Sequence, residues 1–134
     1  MKKIGLVLVI VSLLVGSSIS FAANWEYICH DNTGGTCYYD TTSVTSPGVG
    51  ILSAQVRREW SQEAIARFEG QYKDTSYTIA VLEIDCRNLS YRQTRSTTYK
   101  KNGEIIGGVD TKVSDWISIP DGSIAYFLKN KICR

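Results

Sequence analysis

The sequence predicts an α+β fold, in which an antiparallel meander of about six strands carries a C-terminal helix and is stapled by disulfides. Three observations support it. Short β-favouring runs alternate with Gly- and Asn-rich turns, an amphipathic run closes the chain, and all four cysteines follow an apolar N-terminal segment. Period-two alternation between turns is typical of an antiparallel sheet that packs one face on a core.

The N-terminus has the composition of a targeting segment. Two lysines precede an apolar run over residues 4–15, and small residues occupy positions 20 and 22. This order is typical of a secretory signal peptide. We predict a signal peptide over residues 1–22 and one domain over residues 23–134. The apolar run is shorter than the ~20 residues of a spanning helix, so we expect no transmembrane segment in the mature chain.

The charge balance narrows the class of partner. All 13 acidic residues follow Ala22, whereas two of the 15 basic residues precede it, so the mature formal charge is zero. A nucleic-acid binder normally shows a strong basic excess. We therefore expect no nucleic-acid partner. The signal peptide predicts an exported protein, located in the periplasm, at the cell surface or outside the cell.

Four cysteines, an even number, indicate a disulfide framework in an exported chain: Cys29, Cys37, Cys86 and Cys133. Three pairings are compatible with the sequence, which does not choose among them. We favour Cys29–Cys37, which closes a short hairpin, and Cys86–Cys133, which ties the chain end to the sheet. A zinc site that includes His30 is the less expected alternative in an oxidising compartment.

The first strands are predicted over residues 25–30, 36–44 and 51–60, because Gly34-Gly35 and Pro47-Gly48 lie between them. In the first run, alternation places Trp25, Tyr27 and Cys29 on one face. In the third run, Leu52, Ala54, Val56 and Trp60 share one face, and Arg58 interrupts it.

The later strands are predicted over residues 76–86, 91–100 and 105–109. In the first of these, Ala80, Leu82, Ile84 and Cys86 lie on one side, and Tyr77, Ile79, Val81, Glu83 and Asp85 lie on the other. Residues 91–100 are polar on both faces, which favours an exposed or edge strand. The Asn-Gly pair at 102–103 is typical of a hairpin turn.

Two segments are predicted to be helical. Residues 62–72 carry apolar side chains at helical spacing, although Gly70 weakens the pattern. The C-terminal segment is the stronger candidate, since Ser123 can cap it. One stripe of this segment carries Ile124, Phe127, Leu128 and Ile132.

An ordered set of short motifs resembles the surface-adhesin protein E family of bacterial exported proteins. The set comprises Trp25-Glu26-Tyr27-Ile28, Tyr38-Tyr39-Asp40, Ser43-Val44, Glu83-Ile84-Asp85-Cys86, Tyr91-Arg92, Tyr99, Gly103-Glu104, Trp116-Ile117-Ser118-Ile119-Pro120, and the stretch from Ser123 to Ile132-Cys133. The resemblance spans nearly the whole mature chain. Cys29 and Cys37 are not part of the pattern.

The resemblance implies antiparallel strands packed with a C-terminal helix, and a disulfide between Cys86 and Cys133. For the family's namesake, it implies adhesion to host extracellular proteins such as vitronectin and laminin. The namesake is a lipoprotein, whereas no cysteine here directly follows the apolar run.

The sequence contains few residues in patterns that enzymes use for catalysis. We predict that the protein is not an enzyme and that it binds no cofactor and no metal. His30 is the single histidine, and we interpret it as a surface residue of a hairpin. Glu83 and Asp85 lie two residues apart on one strand, which is more often a solvated face than an acid–base pair. We expect Arg87 or Arg92 as their partners.

One basic stretch with interleaved tyrosines is the candidate binding surface: Tyr91, Arg92, Arg95, Tyr99, Lys100 and Lys101. Arg and Tyr are frequent interface residues, although a charged strand that resists edge-to-edge pairing is the alternative. Trp25, Trp60 and Trp116 are expected to be core residues.

The leading hypothesis is therefore an exported, non-catalytic binding protein, an adhesin for an extracellular matrix or host surface protein. The alternatives are a periplasmic inhibitor of a lysozyme-like hydrolase and an envelope-structural protein. The sequence does not give the ligand or the oligomeric state.

Overall fold

The structure is a computed structural model that describes residues 22–31 and 34–134. Except for Ala22, the predicted signal peptide over residues 1–22 lies outside the described residues. Two residues of the first predicted turn, at positions 32 and 33, also lie outside them.

The described residues form eight strands and two α-helices. In chain order these are β1 (Trp25–His30), β2 (Gly35–Asp40), β3 (Thr45–Gly48), β4 (Ile51–Trp60), α1 (Gln62–Ile65), β5 (Thr75–Asp85), β6 (Ser90–Lys100), β7 (Ile105–Asp110), β8 (Ile117–Ser118) and α2 (Ile124–Ile132). Short 3₁₀ helices occupy Thr41–Ser43 and Gly70–Asp74.

One antiparallel sheet contains all eight strands, and its main path follows the order β1-β2-β4-β5-β6-β7. The short β3 pairs with β4 beyond the end of β2, and the short β8 pairs with β6 beyond the end of β7. Because each neighbour on the main path is also the next long strand of the chain, the sheet is a meander. The predicted α+β layout is confirmed.

The helix α2 covers one face of the sheet. Ser123 Oγ accepts a hydrogen bond from the backbone N–H of Tyr126 at 3.2 Å, which satisfies an otherwise unpaired donor at the helix start. Ala125 and Leu128 are buried in the main core cluster, and the other predicted apolar positions of the helix pack against it. The predicted C-terminal helix and its apolar stripe are confirmed.

The rest of this core comes from the strands beneath α2: Ile28, Cys29, Cys37, Tyr39, Ala54, Val56, Ala80, Leu82 and Ile84. The disulfide between Cys86 and Cys133 joins the end of β5 to the end of α2, with a Cα–Cα distance of 5.7 Å. This bond fixes the helix on the sheet. Cys29 and Cys37 are thiols in the structure, so their predicted pairing is not formed there.

The predicted helix over residues 62–72 is wrong. Ser61 caps only the single turn of α1, through a 3.1 Å hydrogen bond to the Ala64 N–H. Gly70 then adopts φ +59°, in the left-handed region that glycine readily occupies and that an α-helix excludes. The chain continues into the 3₁₀ helix instead.

Residues 91–100 are predicted to form an exposed or edge strand, and the edge position is wrong. β6 pairs with β5 on one side and with β7 and β8 on the other. Its polar side chains are accommodated because only part of one face of β6 lies beneath α2. None of the three tryptophans is buried, so their predicted core role is wrong too.

A β-bulge explains why the alternation predicted for β1 fails. The pairing register shifts between Tyr27 and Cys29, so these residues do not share a face. Tyr27 is exposed, whereas Ile28 and Cys29 are both buried. A bulge inserts one unpaired residue, and this insertion moves every later side chain of the strand to the opposite face.

Candidate protein-binding surface

The central strands β4, β5 and β6 present a second face that points away from α2. We call it the open face, and its central residues are Gln55, Arg57, Glu59, Tyr77, Ile79, Val81, Arg95, Thr97 and Tyr99; Glu83 and Arg92 extend the same face. Cross-strand pairing arranges the central residues in three rows. Period-two alternation determines this face, because their neighbours in sequence on β4 and β5, such as Ala54 and Leu82, point into the core.

Two stacked tyrosines and Glu59 form the first row. The rings of Tyr77 and Tyr99 lie 4.9 Å apart, with an angle of 13° between their planes. The Arg57 guanidinium carbon lies 4.0 Å from the centre of the Tyr77 ring, and Arg57 also pairs with Glu59 at 3.2 Å. Stacking and cation–π contact hold these side chains in place, so they form a preorganised aromatic surface.

A shallow cavity of about 290 Å³ lies beside this stack. Its lining residues are Gln55, Ile79, Val81, Arg95, Thr97 and Tyr99. Ile79 and Val81 give it an apolar floor, and Gln55 and Arg95 lie on opposite sides of Val81 in the register. The cavity therefore combines an apolar base with polar side chains at its rim.

Arg95 differs from the other arginines of the sheet. Arg57, Arg58 and Arg92 each pair with a carboxylate, whereas Arg95 makes no ion pair with any residue in the described part of the chain. Its side chain is also exposed. An exposed guanidinium beside an apolar floor can pair with an external carboxylate without first losing an internal partner.

The six residues of the predicted binding stretch do not lie together. Arg95 and Tyr99 line the cavity of the open face, but Tyr91 lines a different cavity beside α2. Lys100 pairs with Glu104 at 3.6 Å. Lys101 lies in the turn between β6 and β7.

Arg92 lies further along β6 and is already engaged. It pairs with Glu83 at 3.1 Å, and its guanidinium carbon lies 4.6 Å from the Trp116 ring centre. The prediction that Glu83 has an arginine partner is confirmed. Asp85 instead accepts hydrogen bonds from the backbone N–H groups of Asn88 and Arg87, and these bonds lower its pKa.

A β-bulge in β6 places the side chains of Tyr91 and Tyr99 on opposite faces of the sheet. Val81 pairs with Arg95 and Leu82 pairs with Gln93, so Thr94 is the extra residue. Tyr91 and Gln93 consequently face α2, whereas Arg95 and Tyr99 face the open side. Sequence reasoning did not assign Tyr77, Ile79 and Val81 to the binding surface, although the alternation over residues 76–86 had placed them on one face.

The covered side of the sheet has its own cavity of about 410 Å³. It lies between the start of α2 and the sheet, and its lining includes Asp31, Arg58, Tyr91 and Gln93. Arg58 Nε lies 2.7 Å from Asp31 Oδ2, and its guanidinium also stacks on the Trp60 ring at 3.9 Å. Arg58 is thus engaged within the fold, unlike Arg95.

The described residues offer few other candidates for catalysis or metal binding. His30 is exposed, and its Nδ1 lies 3.2 Å from the Thr36 hydroxyl. Within residues 22–31 and 34–134, no group of three or more His, Cys, Asp or Glu side chains is placed to hold a metal ion. No helix of these residues combines the length and apolar character needed to cross a membrane.

Comparison with known families finds a match over most of the chain. A protein-family model described as surface-adhesin protein E matches residues 25–134, which is nearly the whole chain. No curated protein matches the sequence. The resemblance inferred from the ordered motifs is confirmed by the family match.

Proposed function

This chain belongs to the surface-adhesin protein E family, and from that premise we propose that it binds an extracellular protein through the open face of its sheet. One observation carries the proposal: the guanidinium of Arg95 is exposed and has no ion pair among the described residues. It lies beside an apolar floor and next to the Tyr77–Tyr99 stack. Family membership supports an adhesin-like protein, but the ligand has to be argued from the site.

The composition of the open face supports a protein ligand. Tyrosine and arginine are enriched at protein interfaces and dominate their hot spots. Tyr77 and Tyr99 are already fixed by stacking, so binding costs little of their conformational entropy. An arginine that has no internal partner gains a charge-assisted hydrogen bond when a carboxylate reaches it.

The chemistry of the cavity specifies the segment it would accept. The apolar floor of Ile79 and Val81 suits an aliphatic or aromatic side chain, and Arg95 suits an adjacent Asp or Glu. Gln55 offers an amide to the backbone of the ligand. We therefore propose that the bound segment carries an acidic residue next to an apolar one.

Binding to immobilised vitronectin and laminin, the ligands implied by the family resemblance, tests this proposal. We expect Arg95→Ala to weaken binding about tenfold, through a faster dissociation rate. Arg67→Ala is the matched control, because Arg67 is an exposed arginine of the α1 region that pairs, within the described part of the chain, with the exposed Glu63. The control keeps the affinity of the unchanged protein.

Two outcomes would contradict the proposed site. One is full binding by Arg95→Ala, and the other is an equal loss in Arg95→Ala and Arg67→Ala, which would indicate a general charge effect. Circular dichroism of each variant establishes that the fold is retained. Absence of saturable binding to both ligands would remove these two proteins as partners.

We also propose that the chain is exported and cleaved after Ala22. The positive residues, the apolar run over residues 4–15 and the small residues at positions 20 and 22 support this proposal. N-terminal sequencing of the protein recovered outside the cytoplasm is expected to begin at Ala23. A start at Met1 in the recovered protein would contradict it.

A further inference from the structure

Two buried thiols face each other across the first hairpin. Cys29 of β1 and Cys37 of β2 are direct partners in the antiparallel pairing register. Cys29 is 3% exposed and Cys37 is fully buried, and both belong to the main core cluster. Their side chains hydrogen-bond to each other. Directly opposed residues on antiparallel strands have Cα atoms about 4.5–5.5 Å apart, which lies within the Cα separation of roughly 4.4–6.8 Å that disulfides span.

We propose that Cys29 and Cys37 form a second structural disulfide, closed by exchange with a disulfide oxidant while the chain folds, before α2 packs on the sheet. With glutathione disulfide as the oxidant, a thiolate of the pair attacks its S–S bond and forms a mixed disulfide. The second thiolate then displaces glutathione. The pair loses two protons and two electrons, and the oxidant becomes two glutathione thiols.

The disulfide is expected to form before α2 packs on the sheet, because Cys29 and Cys37 are buried in the folded chain. The attacking species is the thiolate, and burial raises the pKa of both cysteines. The Asp31 carboxylate accepts a hydrogen bond from the Cys37 thiol at 3.4 Å, which further favours the protonated form. Ala125 and Leu128 of α2 belong to the same buried cluster. The finished fold therefore protects the pair from an oxidant that the unfolded chain meets freely.

The Cys29–Cys37 disulfide would hold β1, a strand at the edge of the sheet. Among the described strands, β1 pairs with β2 alone and is therefore an end strand of the sheet. The Cys86–Cys133 disulfide fixes α2 to β5 and does not hold β1. A bond from Cys29 to Cys37 would attach this end strand covalently to the part of the hairpin that pairs with β4.

Non-reducing peptide mapping tests the bond itself. The full chain is recovered from its cells, and an alkylating agent blocks free thiols at harvest. Residues 30–36 contain no lysine or arginine, so the digest uses a protease that cleaves before Asp31. We expect one peptide pair linked through Cys29 and Cys37. The Cys86–Cys133 pair is the internal control, because its presence proves that the chain met an oxidising compartment. Alkylated Cys29 and Cys37 in protein that contains the Cys86–Cys133 disulfide would overturn the proposal.

A refolding experiment tests the order. The chain is reduced in denaturant and then refolded, with glutathione disulfide added either at the start or after folding is complete. We expect the Cys29–Cys37 bond to form about tenfold faster with the early addition, since thiolate formation and access both fall on burial. Equal rates would overturn the inferred order. If the reduced chain does not fold, the alkylation rates of Cys29 and Cys37 are compared between the folded chain that retains the Cys86–Cys133 disulfide and the denatured chain. Equal rates would likewise overturn the inferred order.

Discussion

The two faces of the sheet differ although the same strands build them. On β5, Ala80, Leu82 and Ile84 are buried beneath α2, whereas Ile79 and Val81, one residue away, remain partly exposed on the open face. Burial of apolar area is what stabilises a fold. The comparison indicates that the covered face supplies stability and that the open face retains apolar area that a ligand can still bury.

The largest effect is expected from the bond that holds the two layers together. Replacing Cys86 and Cys133 by alanine should lower the free energy of unfolding by about 4 kcal/mol in the loop-entropy model, because their separation of 47 residues closes a long loop. Urea denaturation measures this loss. Reductant should lower the stability of the unchanged protein in the same direction, and a loss below about 1 kcal/mol would contradict the model.

The next effect is expected in the core beneath the helix. Leu128→Ala should lower the free energy of unfolding by about 3 kcal/mol, since Leu128 is fully buried and its removal leaves a cavity. Leu89→Ala is the matched control, because Leu89 is 52% exposed. The control should change stability by less than about 0.5 kcal/mol. Similar losses in both variants would show that the helix contact is not specific.

A smaller effect is expected on the open face. Tyr77→Ala removes the stack on Tyr99 and the Arg57 contact, so we expect a loss of about 1 kcal/mol in the free energy of unfolding. Thermal denaturation measures it. A loss as large as that of Leu128→Ala would mean that the open face is part of the stabilising core, and the functional contrast between the faces would be wrong.

The last effect depends on pH and concerns Asp40, a buried carboxyl group at the end of β2. Burial would raise the pKa of Asp40, but hydrogen bonds from the Thr42 hydroxyl, the Thr42 N–H and the Asn24 N–H outweigh burial and lower it below the ordinary value of 3.8. A carboxyl group with a depressed folded-state pKa stabilises the fold above its unfolded-state pKa. That contribution disappears as the pH falls through the folded-state pKa.

The Asp40→Asn substitution removes the negative charge of the side chain but keeps its shape. All three hydrogen bonds reach Oδ1 of Asp40, and an asparagine oxygen can accept them. At pH 7 we expect the variant to be about 1 kcal/mol less stable, because hydrogen bonds to a carboxylate are stronger than those to an amide. Denaturation in a pH series should show this difference shrinking below pH ~4. A constant difference down to the lowest pH would exclude the carboxylate as its cause.

Local sequence patterns determined the strands, helix and turn that depend only on residues close to one another in the chain. Alternation over residues 76–86 predicts which side chains of β5 share a face, and Ser123 followed by an apolar stripe predicts the start and the buried side of α2. The two turn residues Asn102 and Gly103 predict the hairpin between β6 and β7, where Gly103 adopts φ +88°. Backbone conformation and side-chain period cause these features within a few residues.

Only the tertiary structure decided the features that depend on pairing between distant segments. The bulges near Tyr27 and at Thr94 change the register, and each moves the following side chains to the other face. They explain why Tyr91 and Tyr99 lie on opposite sides and why Cys29 faces Cys37 in the core. Among the described residues Arg95 has no ion pair, whereas Arg92 pairs with Glu83, because the register places Val81 opposite Arg95 and Glu83 opposite Arg92. Sequence spacing does not contain this information, since it arises from which strands meet and in which register.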